Sequence, residues 1–142
     1  MSWSSRIRKW LTKRARRKSL GNRGEDAAAK FLKRHGFRIL ARGVDSRLGE
    51  LDIVAVDGRT VVFVEVKTRR SSDAGRPAEA IDSRKERRMT QSALAYLKAN
   101  RLLSYAARFD VIAITWPENA RRPTIEHYKN AFSPVGTGQF FG

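Results

Sequence analysis

Two kinds of hydrophobic repeat alternate along this chain. Over residues 22–35 the positions Ala28, Phe31, Leu32 and His35 form one helical stripe, with Asn22 a suitable N-cap and Gly36 a stop. A strand follows over 37–41, and the polar stretch 43–49 reads as a loop. Residues 51–56 and 60–67 are rich in Val and Ile and read as two strands joined at Asp57-Gly58, a strong short-hairpin signal. The charged stretch RSSDAGR (70–76) reads as a flexible loop. Met89, Ala93, Tyr96 and Leu97 then mark the inner face of a long helix running from Pro77 to about Asn100. A strand over 109–115 and a short one over 125–128 complete the order. The sequence α-β-β-β-α-β is that of an α/β (α+β) domain, a sheet flanked by helices.

Hairpin geometry brings charged residues into this pattern. A symmetric turn at Asp57-Gly58 sets Phe63 opposite Asp52 and Glu65 opposite Glu50. Side chains alternate along a strand, so Glu50, Asp52 and Val54 share a face with Val61, Phe63, Glu65 and Lys67. Asp52 and Glu65 become diagonal neighbours, ~7–8 Å apart at the backbone. The other face (Leu51, Ile53, Ala55, Val62, Val64, Val66) is uniformly apolar, and Val61 and Phe63 require cover on the first. A strand buried on both faces that still carries Asp, Glu and Lys points to chemistry rather than to an exposed charged face. Carboxylates this close repel. Lys67 offsets part of the repulsion, and a divalent cation, Mg²⁺ or Mn²⁺, is the natural remainder. Glu25 follows the stripe of the first helix and is a third carboxylate for the site, or equally the partner of Asn22 in a capping box.

Charge sharpens the picture. Thirty Lys and Arg stand against fourteen Asp and Glu among 142 residues, a net charge of +16. Such a balance calls for an anionic partner, nucleic acid first and an acidic membrane surface second. Eight of the basic residues fall within residues 1–20, where Trp3, Ile7, Trp10 and Leu11 give a basic amphipathic arm. This arm lacks the apolar run of a signal peptide. A solvated arm touching nucleic acid is favoured over membrane contact. The domain itself spans 21–132, and the glycine-rich 133–142 reads as a mobile tail. Cysteine is absent, which excludes disulfides and thiolate chemistry and leaves a reducing cytoplasm as the expected compartment. No apolar run is long enough to span a bilayer as a helix. His35 and His127 look single and unpaired, with structural roles, and Asp110 reads as a strand-edge charge.

The stretches Gly21-Asn22-Arg23-Gly24-Glu25, Gly49-Glu50-Leu51-Asp52-Ile53-Val54 and Val62-Phe63-Val64-Glu65-Val66-Lys67-Thr68-Arg69 resemble the bacterial YraN-like family. Pro77-Ala78-Glu79-Ala80, Arg108-Phe109-Asp110-Val111 and Asn130-Ala131-Phe132 do so too, and the resemblance covers 21–132. That family is similar to the restriction-endonuclease-like, PD-(D/E)XK superfamily and to archaeal Holliday-junction resolvases. The resemblance implies a mixed sheet flanked by helices, with Glu25 as the helix glutamate, Asp52 and Glu65 as metal carboxylates, and Lys67 as the motif lysine. Leu51 stands where a proline often precedes the aspartate.

The expected activity is Mg²⁺- or Mn²⁺-dependent hydrolysis of phosphodiester bonds in branched or structured DNA, DNA being preferred to RNA. Asp52, Glu65 and the Val66 backbone carbonyl would hold the metal, and Lys67 would position or deprotonate the attacking water. Arg69, Arg70, Arg76, Lys85 and Arg88 are expected to meet phosphates, although at least half of the cluster Arg84, Lys85, Arg87 and Arg88 should simply be a solvated helix face. A homodimer would supply the two sites that cleavage of both strands requires. The alternative is a non-catalytic nucleic-acid-binding protein on the same fold.

Overall fold

The computed structural model describes residues 19–71 and 81–134. Helix α1 (Leu20–Arg34) is followed by β1 (Arg38–Ser46), β2 (Gly49–Asp57), β3 (Thr60–Arg69), helix α2 (Ser83–Ala99), β4 (Ala107–Thr115) and β5 (Thr124–Phe132). The five strands form one sheet in the order β1-β2-β3-β4-β5. β3 and β4 are parallel, with α2 in the crossover between them, and every other neighbouring pair is antiparallel. The fold is therefore a mixed α/β sheet with a helix on each face.

α1 begins one turn earlier than the Asn22 cap predicts. Ser19 is the N-cap, its hydroxyl accepting from the Asn22 N–H at 3.1 Å. The capping-box role of Asn22 and Glu25 is thereby corrected, because Asn22 is already inside the helix. The helix stops where the sequence places the stop. Gly36 adopts φ +86°, and the N–H groups of Gly36 and Phe37 bond the Lys33 and Leu32 carbonyls. Ala28, Ala29 and Leu32 pack onto Ile53, Ala55, Val62, Val64, Ile112 and Ile114 of the sheet. On the other face Met89, Ala93 and Leu97 of α2 cover Val54, Val61, Phe63 and Phe109. α2 starts at Ser83 rather than near Pro77. Asp82 caps it by accepting from the Lys85 N–H at 2.9 Å, and residues 72–80 lie outside the described residues.

Two edge strands outgrow their sequence signal. β1 runs through Ser46, across the stretch expected to be a loop, and β5 has nine residues rather than four. Both are largely polar and half exposed, held by main-chain pairing with β2 and β4.

The hairpin is also corrected. Its turn is Gly58-Arg59, with Asp57 paired to Thr60 and Gly58 at φ +63°, so Phe63 faces Val54 and not Asp52. Leu51 leaves the Ile53 face expected of it and packs with Val54 and Phe63, but a displacement of two residues keeps the side chains of 53–55 and 61–64 on their faces. It also brings the end of the ladder into the site, because pairing between β2 and β3 stops at Ile53 and Val64. Beyond that point β2 stays with β1 and β3 stays with β4. The sheet splits there.

Candidate active site

The split between β2 and β3 is where the charged residues gather. Asp52 is the first residue of β2 past the last rung, and Leu51 packs with Val54 and Met89 on the α2 side, so strand alternation breaks at Asp52. With the pairing to β3 ended, Asp52 turns its carboxylate onto the free main chain of β3. Its Oδ2 accepts from the Val66 N–H at 2.9 Å. Odd-numbered residues of β3 bond toward β4, since the Val61 N–H donates to Ala106 and the Arg69 carbonyl accepts from Trp116. Val66 therefore points both its N–H and its carbonyl toward Asp52.

α1 delivers Glu25 to the same place. Its approach depends on Gly24, which is buried against Thr68 of β3. A Cβ at position 24 would fall within 2.8 Å of the Thr68 Cβ, inside any allowed contact. Glu25, Glu50 and Asp52 each present a carboxylate oxygen, and these oxygens lie within 4.8 Å of one another. On the α2 side Glu65 is buried, 5% exposed. The Lys85 ammonium donates to its Oε1 at 2.5 Å, and the Lys67 ammonium lies 3.8 Å from the same oxygen. Asn22, Glu25, Glu50, Asp52, Glu65 and Lys85 line an open cleft of about 500 Å³, with Arg88, Met89 and Ser92 along its α2 wall.

The electrostatics follow from that crowding. Burial and the charge of Glu65 push the Asp52 carboxyl up to about 7, against the lowering effect of the Val66 N–H. Burial and the charge of Glu50 raise Glu25. Burial and the neighbouring Lys85 lower Lys67. Burial alone would lower Lys85 as well, but its hydrogen bond to Glu65 and the Glu65 charge outweigh it, and the net shift is upward. The site holds more carboxylates than it can comfortably ionise.

The structure brings Glu25, Asp52, Glu65, Val66 and Lys67 together, and adds two residues that the sequence pattern did not assign to the centre. Glu50 could have been found, since it lies two residues from Asp52 on the same strand. Lys85 was assigned to phosphate contact, and nothing in the sequence pairs a helix lysine with Glu65. Arg88 borders the cleft, and Arg84 and Arg87 belong to a separate shallow depression on α2. Arg69 lies at the end of β3, and Arg70 donates to the Trp116 carbonyl at 3.3 Å. Arg76, residues 1–18 of the arm and residues 135–142 of the tail lie outside the described residues.

Asp110 is corrected from a strand-edge charge to a buried hub, 0% exposed. It accepts from Arg108 Nε and from the Asn130 N–H, each at 2.9 Å, and pairs with His127 Nε2 at 2.8 Å. His127 is thus not unpaired, and His35 Nδ1 lies 2.7 Å from the Phe31 carbonyl.

A family model described as "Uncharacterised protein family UPF0102" matches residues 24–114, from the glycine that seats α1 to the end of β4. The chain belongs to the UPF0102 family. A UPF0102 protein of Rhodopirellula baltica is 46% identical over 126 residues, covering 87% of this chain and 75% of the relative. Those of Geobacter metallireducens and Geobacter sulfurreducens are 50% and 51% identical over 115 residues, covering 81% of this chain and 93% and 89% of their own length. The segment matched by the UPF0102 model contains Glu25, Glu50, Asp52, Glu65, Val66, Lys67 and Lys85, the whole of the carboxylate and lysine centre. No helix among the described residues is long and apolar enough to cross a membrane.

Proposed function

We propose that the protein is a metal-dependent nuclease of the restriction-endonuclease-like type, hydrolysing phosphodiester bonds in branched or otherwise structured DNA in the cytoplasm. One observation carries this reading: the oxygens of Glu25, Glu50 and Asp52 meet within 4.8 Å where β2 leaves β3, with the Asp52 carboxyl pushed up to about 7. Carboxylates so placed are poorly compensated by the protein alone, and an all-oxygen donor set of this kind suits Mg²⁺ or Mn²⁺. Asp52 belongs both to that group and to the edge formed with Glu65 and the Val66 carbonyl. These are the residues that would hold the cation, with Glu25 and Glu50 completing the shell directly or through water. Bound there, a divalent cation supplies a Lewis acid for the phosphoryl group and lowers the pKa of a water. The remaining work falls to the chain. Lys67, its pKa lowered by burial and by Lys85, is suited to take a proton from the attacking water. Glu65 orients both lysines through one oxygen. Arg88 on the cleft wall, Arg69 at the end of β3 and Arg70 just after it would meet the flanking phosphates.

A second reading has an observation of its own. The Lys85 ammonium sits on Glu65 and supplies a positive charge inside the cleft, as in a non-catalytic nucleic-acid-binding protein whose site is closed by an ion pair. Incubation of purified protein with linear, flap and four-way-junction DNAs, with Mg²⁺ or Mn²⁺ and an Asp52→Ala control, separates the two. The nuclease reading expects metal-dependent products that vanish in Asp52→Ala. Binding without cleavage of any substrate leaves the binding protein.

A further inference from the structure

A second concavity lies on the opposite flank of α1, and its chemistry differs from that of the carboxylate cleft. Arg23, Lys30 and Arg34 edge it along α1, Arg121 and Arg122 edge it from the segment between β4 and β5, and Trp116 forms part of the floor. It encloses about 470 Å³. Among the described residues none of these five cations forms an ion pair. The single acid on its lining, Asp26, is already engaged by Arg42 at 2.8 Å. Five exposed cations facing one groove, with Asp26 the one acid on its lining, repel one another unless an anion lies between them.

The groove is also built rather than incidental. Trp116 is fixed by its N–H to the Arg69 carbonyl at 2.7 Å and by its Nε1 to the Ala120 carbonyl at 3.0 Å. The Arg23 guanidinium lies 4.1 Å from the Trp116 ring centroid, which holds it in place without neutralising it. The spacing suits an extended anion. Arg23 to Arg34 spans roughly 16 Å of helix at 1.5 Å per residue, too long for one small phosphate and matched to several consecutive phosphates of a strand, roughly 3.4 Å apart along a duplex axis.

We infer that this groove is a binding track for the sugar–phosphate backbone of a nucleic-acid strand, with Arg23, Lys30, Arg34, Arg121 and Arg122 as its phosphate contacts. It rests on the nucleic-acid part of the function proposed above. Arg70, bonded to the Trp116 carbonyl, links the groove to the end of β3. Arg23 and Glu25 lie two residues apart on α1, so the track ends about one helix diameter, ~10 Å, from the carboxylates. A strand held there leads into the cleft.

The test is binding of the full chain to a fluorescein-labelled DNA duplex by anisotropy, in EDTA, across a potassium chloride series. A triple variant, Lys30→Gln with Arg121→Gln and Arg122→Gln, should bind at least about tenfold more weakly, with a plot of log affinity against log salt shallower by about 2–3. A control of equal charge change away from the groove, Arg38→Gln with Arg59→Gln and Lys98→Gln, should keep the wild-type slope. Equal slopes for the two triple variants, or a loss seen with phosphatidylserine vesicles and not with DNA, would overturn the inference. Because EDTA removes any cleavage, failure of the nuclease reading appears only in the cleavage assay and leaves this result standing.

Discussion

Asp52 shows how one side chain couples folding to chemistry. Its carboxyl is raised by burial and by Glu65 to about 7, from an ordinary 3.8. The folded state therefore prefers the protonated form. The stability that this preference contributes is complete below about pH 4 and is lost as pH rises through 7. Asp52→Asn keeps an oxygen for the Val66 N–H and does not ionise. In EDTA at pH 8 it should be more stable than the wild type by roughly 1–3 kcal/mol, the gap closing toward pH 4. Thermal unfolding across that range checks this, and a wild type equal to Asp52→Asn at pH 8 would remove the claim of a strained carboxylate. Lys85 gives a second expectation. Its ammonium bonds the Glu65 oxygen that a cation would need, so Lys85→Gln should bind Mn²⁺ more tightly than the wild type, as read by calorimetry. An unchanged affinity would mean that the two cations do not compete. At this scale the sequence displayed Asp52, Glu65 and Lys67 as charges set within apolar strands, although the alternation that placed Asp52 breaks at that residue. It hid Lys85 and the hub at Asp110, because such contacts arise between elements distant in the chain.

Elements whose apolar face is buried were legible, and elements held by their backbone were not. β2, β3 and β4 carry the Val and Ile runs of strands covered on both sides, and α1 displays its stripe. The second half of β1 and most of β5 are polar edge strands, whose cohesion lies in ladders that no hydrophobic pattern records. The hairpin register was missed by two residues because Gly58 opens the turn rather than closing it. Val54, Val61 and Phe63 still share a face, since a shift of two preserves alternation up to the break at Asp52. Two variants test how elements are joined. Gly24→Ala forces a methyl against Thr68, and should cost about 1–3 kcal/mol in urea unfolding while drawing Glu25 away from Asp52. Asp110→Ala leaves Arg108, His127 and the Asn130 N–H without their shared acceptor between β4 and β5, a loss of about 3–5 kcal/mol. Burial acts to raise Asp110, but bonds from His127, Arg108 and Asn130 hold it below the ordinary range. Its stabilisation is therefore present above about pH 4 and fades as acid protonates it. A native Tm for Asp110→Ala at neutral pH would show the hub to be dispensable.

For the whole molecule, the split in the sheet is the organising event. A mixed sheet with a helix on each face buries an ordinary core, and the parting of β2 from β3 opens that core at one end. Backbone from β3, carboxylates from α1 and β2, and lysines from β3 and α2 all reach that opening. The chain as a whole carries a net charge of +16. A polyanion drawn to such a surface meets its one concentration of carboxylates among the described residues at the cleft, where direct contact would be repulsive. A divalent cation turns that repulsion into attraction, which makes cation binding the central claim of the proposed function. Calorimetric titration of Mn²⁺ into the full-length protein at pH 8, beside Asp52→Ala, tests it most directly. Saturable binding that weakens as pH falls toward 6, and that Asp52→Ala abolishes, is the predicted result. Binding of equal strength in wild type and Asp52→Ala, or none in either, would contradict it.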